Sequence, residues 1–179
     1  MIQKEIIETF NLDINEIFRL CIDDNNEMIT RIKDIIEYEQ GLWNNNIKKD
    51  KITIKLNDIP KEIPEKIIKI VLTENETVIN KIKIKIIEKT ENNITLKIKV
   101  KPICNIFCKI NNLLKLSTTK AFITLTQTDN LTVINAKYKI KVLSNEYTNI
   151  IENYMEKILN TLFIDNMIKY LRDIENKLV

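Results

Sequence analysis

The chain contains no histidine, and that absence removes more chemistry than any motif adds. Ser–His and Cys–His nucleophilic sites, histidine-ligated zinc and imidazole general bases are all excluded. A single glycine, Gly41, excludes a phosphate-cradling loop and a dinucleotide-binding turn, each of which needs several. Three cysteines, Cys21, Cys104 and Cys108, are odd in number and unpatterned, as expected of reduced thiols. Cys104 and Cys108 stand four apart, yet no third or fourth soft ligand is near them in the sequence, so no metal is expected. No apolar run approaches the roughly 18 residues of a membrane-spanning helix. The opening Met1-Ile2-Gln3-Lys4-Glu5 lacks the apolar stretch of a signal peptide, so the expectation is a soluble, cytoplasmic protein. Arginine is scarce too: 25 of the 28 basic residues are lysine.

What is abundant is isoleucine, lysine and asparagine, the signature of an AT-rich genome. Hydrophobic residues make up 44% and charged residues 30% of the 179, which suits one globular domain, 1–179, with a sizeable core. The formal net charge of +3 is too mild to imply nucleic-acid binding by itself. The N-x-[ST] sequences at Asn75, Asn93 and Asn130 follow from the high asparagine content. Acid pairs at Glu5/Glu8, Asp23/Asp24 and Glu37/Glu39 read as caps or solvated strand positions, and no residue stands out as catalytic. No cofactor is expected.

Periodicity organises the chain. Ile2 to Phe10 reads as a strand. Asp13-Ile14-Asn15-Glu16 and Asp24-Asn25-Asn26-Glu27 each start a short helix, the second carrying Met28, Ile29, Ile32, Ile35 and Ile36. Glu37 to Trp43 reads as a strand with Gly41 at a bulge or close approach. Four runs then alternate with period two: Ile52/Ile54/Leu56, Ile68/Ile70/Leu72, Ile82/Ile84/Ile86 and Ile94/Leu96/Ile98/Val100, with lysines opposite the apolar residues in three of them. Pro102 is expected to end that ladder, and Ile103 to Leu114 to form a helix. Strands about Thr119–Thr128 and Leu131–Leu143 follow, joined at Asp129-Asn130, with a bulge expected at Val133-Ile134. Ser144 is expected to cap, and Glu146 to favour, a long helix to Lys177. Its apolar stripe runs through Ile150, Ile151, Tyr154, Met155, Ile158, Leu159, Leu162, Phe163, Met167, Leu171 and Ile174. A helix of that length spans about 45 Å and needs a wide surface to lie on.

The order strand, two short helices, antiparallel strands, long final helix resembles the START-like, or helix-grip (SRPBCC), superfamily. Gln3–Glu8 followed by Leu12–Phe18 is similar to that family's opening, and Gly41-Leu42-Trp43 to a tryptophan-bearing segment of the VASt-type sterol-transfer domains. The resemblance implies an α+β fold: a curved antiparallel sheet of about six or seven strands wrapped around the C-terminal helix. It also implies a cavity between them for a lipid, sterol or other small hydrophobe. Trp43, Ile84, Leu96, Ile98, Tyr138, Tyr154, Met155, Leu159 and Phe163 are the expected lining. Ile106, Phe107, Ile110, Leu113 and Leu114 are the expected lid or membrane contact.

Non-enzymatic binding, or transfer, is the function these features favour, with a cyclase-like reaction as a weak third reading. The alternative is a filled core and an interaction protein using its lysine face: Lys81, Lys83, Lys85, Lys97, Lys99, Lys101, Lys137, Lys139 and Lys141. That face suits an acidic partner or an anionic membrane. Nucleic acid is disfavoured because aromatics and arginine are nearly absent from those rows.

Overall fold

A computed structural model describes residues 1–33, 35–40, 51–58, 78–103, 117–142 and 148–179. Seven strands form one antiparallel sheet in the order β1-β7-β6-β5-β4-β3-β2. They are β1 (Ile2–Phe10), β2 (Ile35–Gln40), β3 (Lys51–Asp58), β4 (Val78–Lys89), β5 (Asn93–Ile103), β6 (Ser117–Thr128) and β7 (Leu131–Val142). From β2 onward each strand pairs with its neighbour in sequence, whereas β1 joins β7 at the opposite edge. Two short helices carry the chain from the β1 edge to the β2 edge: α1 (Ile14–Phe18), continued by wider turns over Arg19–Asp23, and α2 (Asn26–Thr30). The last helix, α3, is described from Thr148 to Lys177 and lies over the sheet. This is the helix-grip fold.

The alternation that built the strands places their faces. Ile52, Ile54, Leu56, Ile82, Ile84, Ile86, Ile94, Leu96, Ile98, Ala121, Ile123, Leu125, Ile134, Ala136 and Ile140 are all buried toward α3. The first segment of α3 runs closest to β7 and β6, and its last to β1 and α2. Small Ala121 and Ala136, on adjacent strands, allow that approach.

The geometry of α3 has a feature that simple helical periodicity does not reveal. Ile151, Met155, Leu159, Phe163, Met167 and Leu171 are all buried, and they recur strictly every four residues. In a 3.6-residue helix each such step overshoots a full turn by about 40°. Five steps would swing the row well past the core. The helix absorbs the excess by widening to π-type turns over Lys157–Ile164, between α-helical Thr148–Glu156 and Asp165–Lys177.

Several expectations need correction. The second helix stops at Thr30, and Ile35 and Ile36 belong to β2, where Ile35 packs on the core and Ile36 is exposed. Pairing with β3 (Ile35 opposite Leu56) outweighs the helical spacing. Its N-cap is Asn25, not Asp24, and makes no side-chain capping bond, whereas Asp13 caps α1 by accepting from the Asn15 N–H at 2.8 Å. Glu16 does not complete a capping box; it pairs with Arg19. Pro102 and Ile103 continue β5. Pairing between β5 and β6 ends at Lys99–Lys120, so among the described residues Pro102 has a strand on its β4 side only, and an edge-like position tolerates a missing N–H. No bulge interrupts β7. Thr132 is an inward residue whose hydroxyl donates to the Leu12 carbonyl at 2.6 Å, so the alternation never breaks. The register shifts lie instead at Ile35/Glu37 and Ile86/Glu88. Gly41 and Trp43, the Ile68–Leu72 run, the expected helix from Cys104 to Leu114, and Ser144 with Glu146 lie outside the described residues. Among the described residues no helix is long and apolar enough to cross a membrane.

Candidate functional site

The seam between sheet and α3 brings the nominated residues together. Ile84 pairs with Ile98 across β4 and β5, and Leu96 sits opposite Ile86. Tyr138 on β7 stands opposite Ala121 on β6. From α3 come Tyr154, Met155, Leu159 and Phe163. All eight expose 2% of their surface or less. A side chain without accessible surface borders no space that water could fill, so in this state side chains fill the seam around them. Trp43 and the nominated lid residues Ile106, Phe107, Ile110, Leu113 and Leu114 fall outside the described residues.

The seam is not uniformly apolar. Asn80 lies on β4 in the same inward row as Ile82, Ile84 and Ile86, and is fully buried. Its Nδ2 donates to the hydroxyl of Tyr154 at 2.7 Å, tying α3 to the β4 side of the sheet. Thr119, inward on β6 opposite Ile140, is 6% exposed, and its hydroxyl has no hydrogen-bond partner. Tyr138 donates to Glu156 at 2.9 Å, and Lys4 meets the same carboxylate at 2.5 Å. Burial, reinforced by Glu156, pushes the Tyr138 phenol well above its ordinary value, so it remains a donor. Glu152, 4% exposed, has its Oε1 2.5 Å from the backbone nitrogen of Met1. Sequence reasoning missed Asn80 and Thr119. For Asn80 the signal was present, since it continues the period-two row of β4 by one more step.

The opposite end of α3 is an anchor. Arg172 reaches Glu8 at 2.6 Å, Glu175 and the Thr9 carbonyl at 2.8 Å, and lies 4.1 Å from the centre of the Phe10 ring. Arg31 pairs with Asp173 at 2.6 Å and stacks on Tyr170, whose hydroxyl donates to Glu27 at 3.3 Å. With Arg19 bound to Glu16, every arginine of the chain serves an internal contact.

The nine nominated lysines do share a face. Register places Lys81 opposite Lys101, Lys83 opposite Lys99 and Lys85 opposite Lys97. The array continues through Lys120, absent from the sequence-based set, which stands between Lys99 and Lys139. Lys137 and Lys141 complete it on β7.

Solved structures share this architecture at low identity. A START superfamily protein from Mycobacterium smegmatis superimposes with a TM-score of 0.53 over 99% of each chain at 8% identity. The structure of Ara h 8.0201 does so at 0.56, over 96% of this chain and 98% of its own, with 11% identity. A truncated norcoclaurine synthase from Thalictrum flavum gives 0.51 over 97% and 93%, also with 11% identity. These likenesses show a START-like fold, and a fold that includes a synthase assigns neither binding nor catalysis. No family model and no curated protein matches the sequence.

Proposed function

We propose that this protein binds a small hydrophobic ligand carrying one polar group, between the β3–β5 half of the sheet and the first half of α3, without catalysing a reaction. The observation that carries the reading is the Asn80–Tyr154 bond, a fully buried polar pair set among the isoleucines of β4 and the apolar stripe of α3. Replacing such a pair by well-packed apolar residues costs a fold little, so its presence in the seam favours a role in recognition. Thr119, with an unsatisfied buried hydroxyl facing the same interior, supplies a second polar contact.

Tyr154, Met155 and Leu159 are fully buried at this seam, so a ligand there competes with them for volume. Binding therefore displaces Met155 and its neighbours, and the π-type turns at Lys157–Ile164 are where α3 yields. The ligand's apolar surface supplies the driving force at roughly 25 cal/mol per Å² buried. A lipid or sterol in an intracellular carrier, as in VASt-type transfer domains, is the finer form of this reading.

The test is organic extraction of the purified protein with mass spectrometry of the extract, followed by titration with a fluorescent fatty acid and a fluorescent sterol. A stoichiometric extract or saturable binding is expected, weakened at least tenfold by Met155→Trp, which adds bulk where the ligand would have to enter. An empty extract together with no saturable binding of either probe refutes the proposal.

A further inference from the structure

The outer face of β4–β7 carries ten lysines, at 81, 83, 85, 97, 99, 101, 120, 137, 139 and 141, and within 81–85, 97–101, 118–122 and 137–141 there is no acidic residue. Without these ten the chain's formal charge would be negative. Several stand directly opposite one another: Lys81–Lys101, Lys83–Lys99, Lys85–Lys97, Lys99–Lys120 and Lys120–Lys139. Like charges in directly opposed pairs destabilise a sheet. At the edges the chain avoids that cost by pairing, Lys55 with Glu37 and Lys137 with Glu5.

We propose that this face docks on an anionic lipid bilayer. Strands about 4.8 Å apart and a two-residue repeat of about 6.8 Å spread the charge in two dimensions, over roughly 14 Å each way. A leaflet presents charge in two dimensions, whereas a nucleic-acid backbone presents lines. The cations are all lysine, which suits diffuse attraction to a charged surface, and the forked guanidinium that favours phosphate and base recognition is absent from the array. Phe122 lies between Lys97 and Lys137, 39% exposed, with Lys97 Nζ 5.9 Å from its ring, and offers an apolar contact at headgroup depth. The proposal does not depend on the interior ligand.

The experiment is co-sedimentation of the full chain with phosphatidylcholine vesicles with and without phosphatidylserine, at low and high salt. Binding is expected only to the anionic vesicles and is lost as salt rises. Each lysine near a charged leaflet strengthens association roughly fivefold, so Lys83→Gln with Lys99→Gln, Lys120→Gln and Lys139→Gln weakens it several-hundred-fold. A single Lys99→Glu provides the control for folding. It turns two repulsive cross-strand pairs into attractive ones, so it raises the unfolding midpoint while lowering vesicle binding. Equal sedimentation with neutral and anionic vesicles overturns the proposal. So does unchanged binding by the fourfold variant. Indifference to vesicles with steeply salt-dependent binding to RNA or duplex DNA overturns it in favour of a nucleic-acid face.

Discussion

Tyr154→Phe removes the hydroxyl that accepts from Asn80 in the seam. The substitution removes a single oxygen, the one that accepts from Asn80 Nδ2 at 2.7 Å, at a place where both residues have no exposed surface. No cavity larger than that atom is created, so the packing term is small. The bond to Asn80 is worth about 1 kcal/mol net, and a buried N–H that loses an acceptor costs about 1–3 kcal/mol. A loss of roughly 1–3 kcal/mol is expected. For a chain of this size each kcal/mol moves the thermal midpoint by about 2–4 °C. Urea unfolding is the assay, and the midpoint should fall with an unchanged slope. Asn80→Leu should cost a comparable amount. The double variant, with an apolar pair in place of a polar one, should be more stable than the sum of the two losses predicts, with a coupling of about 1 kcal/mol or more. A Tyr154→Phe variant as stable as the wild type, or two strictly additive losses, would refute the reasoning. The seam would then hold no polar bond worth attributing to recognition.

Two further outcomes follow from the charges around α3. Burial raises the phenol pKa of Tyr38, Tyr138 and Tyr170 above the ordinary 10.0, and in Tyr138 and Tyr170 a carboxylate, Glu156 or Glu27, adds to the rise. The unfolded chain therefore releases these protons first, so the stabilisation is complete below about pH 10 and lost as pH rises beyond it. Urea midpoints measured from neutral to alkaline pH should decline only above about pH 10, and tyrosinate absorbance at these positions should appear together with unfolding; complete titration of an intact fold at pH 10 would contradict this. Arg172→Ala should lower stability by about 1–2 kcal/mol, a figure reduced for a side chain 38% exposed. Arg172→Lys should recover less than half of that in thermal unfolding, because an ammonium cannot reach Glu8, Glu175 and Thr9 together, and full recovery would show that only the charge matters.

The sheet was legible wherever one face is apolar. Ile82/Ile84/Ile86 and Ile94/Leu96/Ile98/Val100 announced both their strands and their inward faces, because period two admits one burial solution. Where β-branched residues are spaced for either structure, the reading failed. Ile32, Ile35 and Ile36 fit a helix by position, and only the partner strand β3 decides between the two. Polar residues inside the seam were harder to find, since Asn80 and Thr119 look like surface residues until their neighbours in the row are assigned an inward direction. The widened turns of α3 were encoded in the strict four-residue row from Ile151 to Leu171. That row reads as an ordinary stripe unless the 40° excess of each step is added up.

The two proposed surfaces share the same backbone, and this is what makes them separable. Along β4 and β5 every residue facing α3 is followed by one facing away, so Ile84 and Lys83 are neighbours in sequence and lie on opposite faces of the sheet. A one-residue slip in register would carry the lysines into the core and the isoleucines into water. The lysine array therefore also fixes the register in which the seam is built, at the expense of the repulsion between opposed lysines. Glutamates alternating with those lysines would specify the register equally well and add favourable cross-strand pairs. The requirement for register accounts for charge at the outward positions, but not for charge of a single sign. The sign is the part of the pattern that register leaves open, and it is the part that the proposed docking on an anionic bilayer puts to the test.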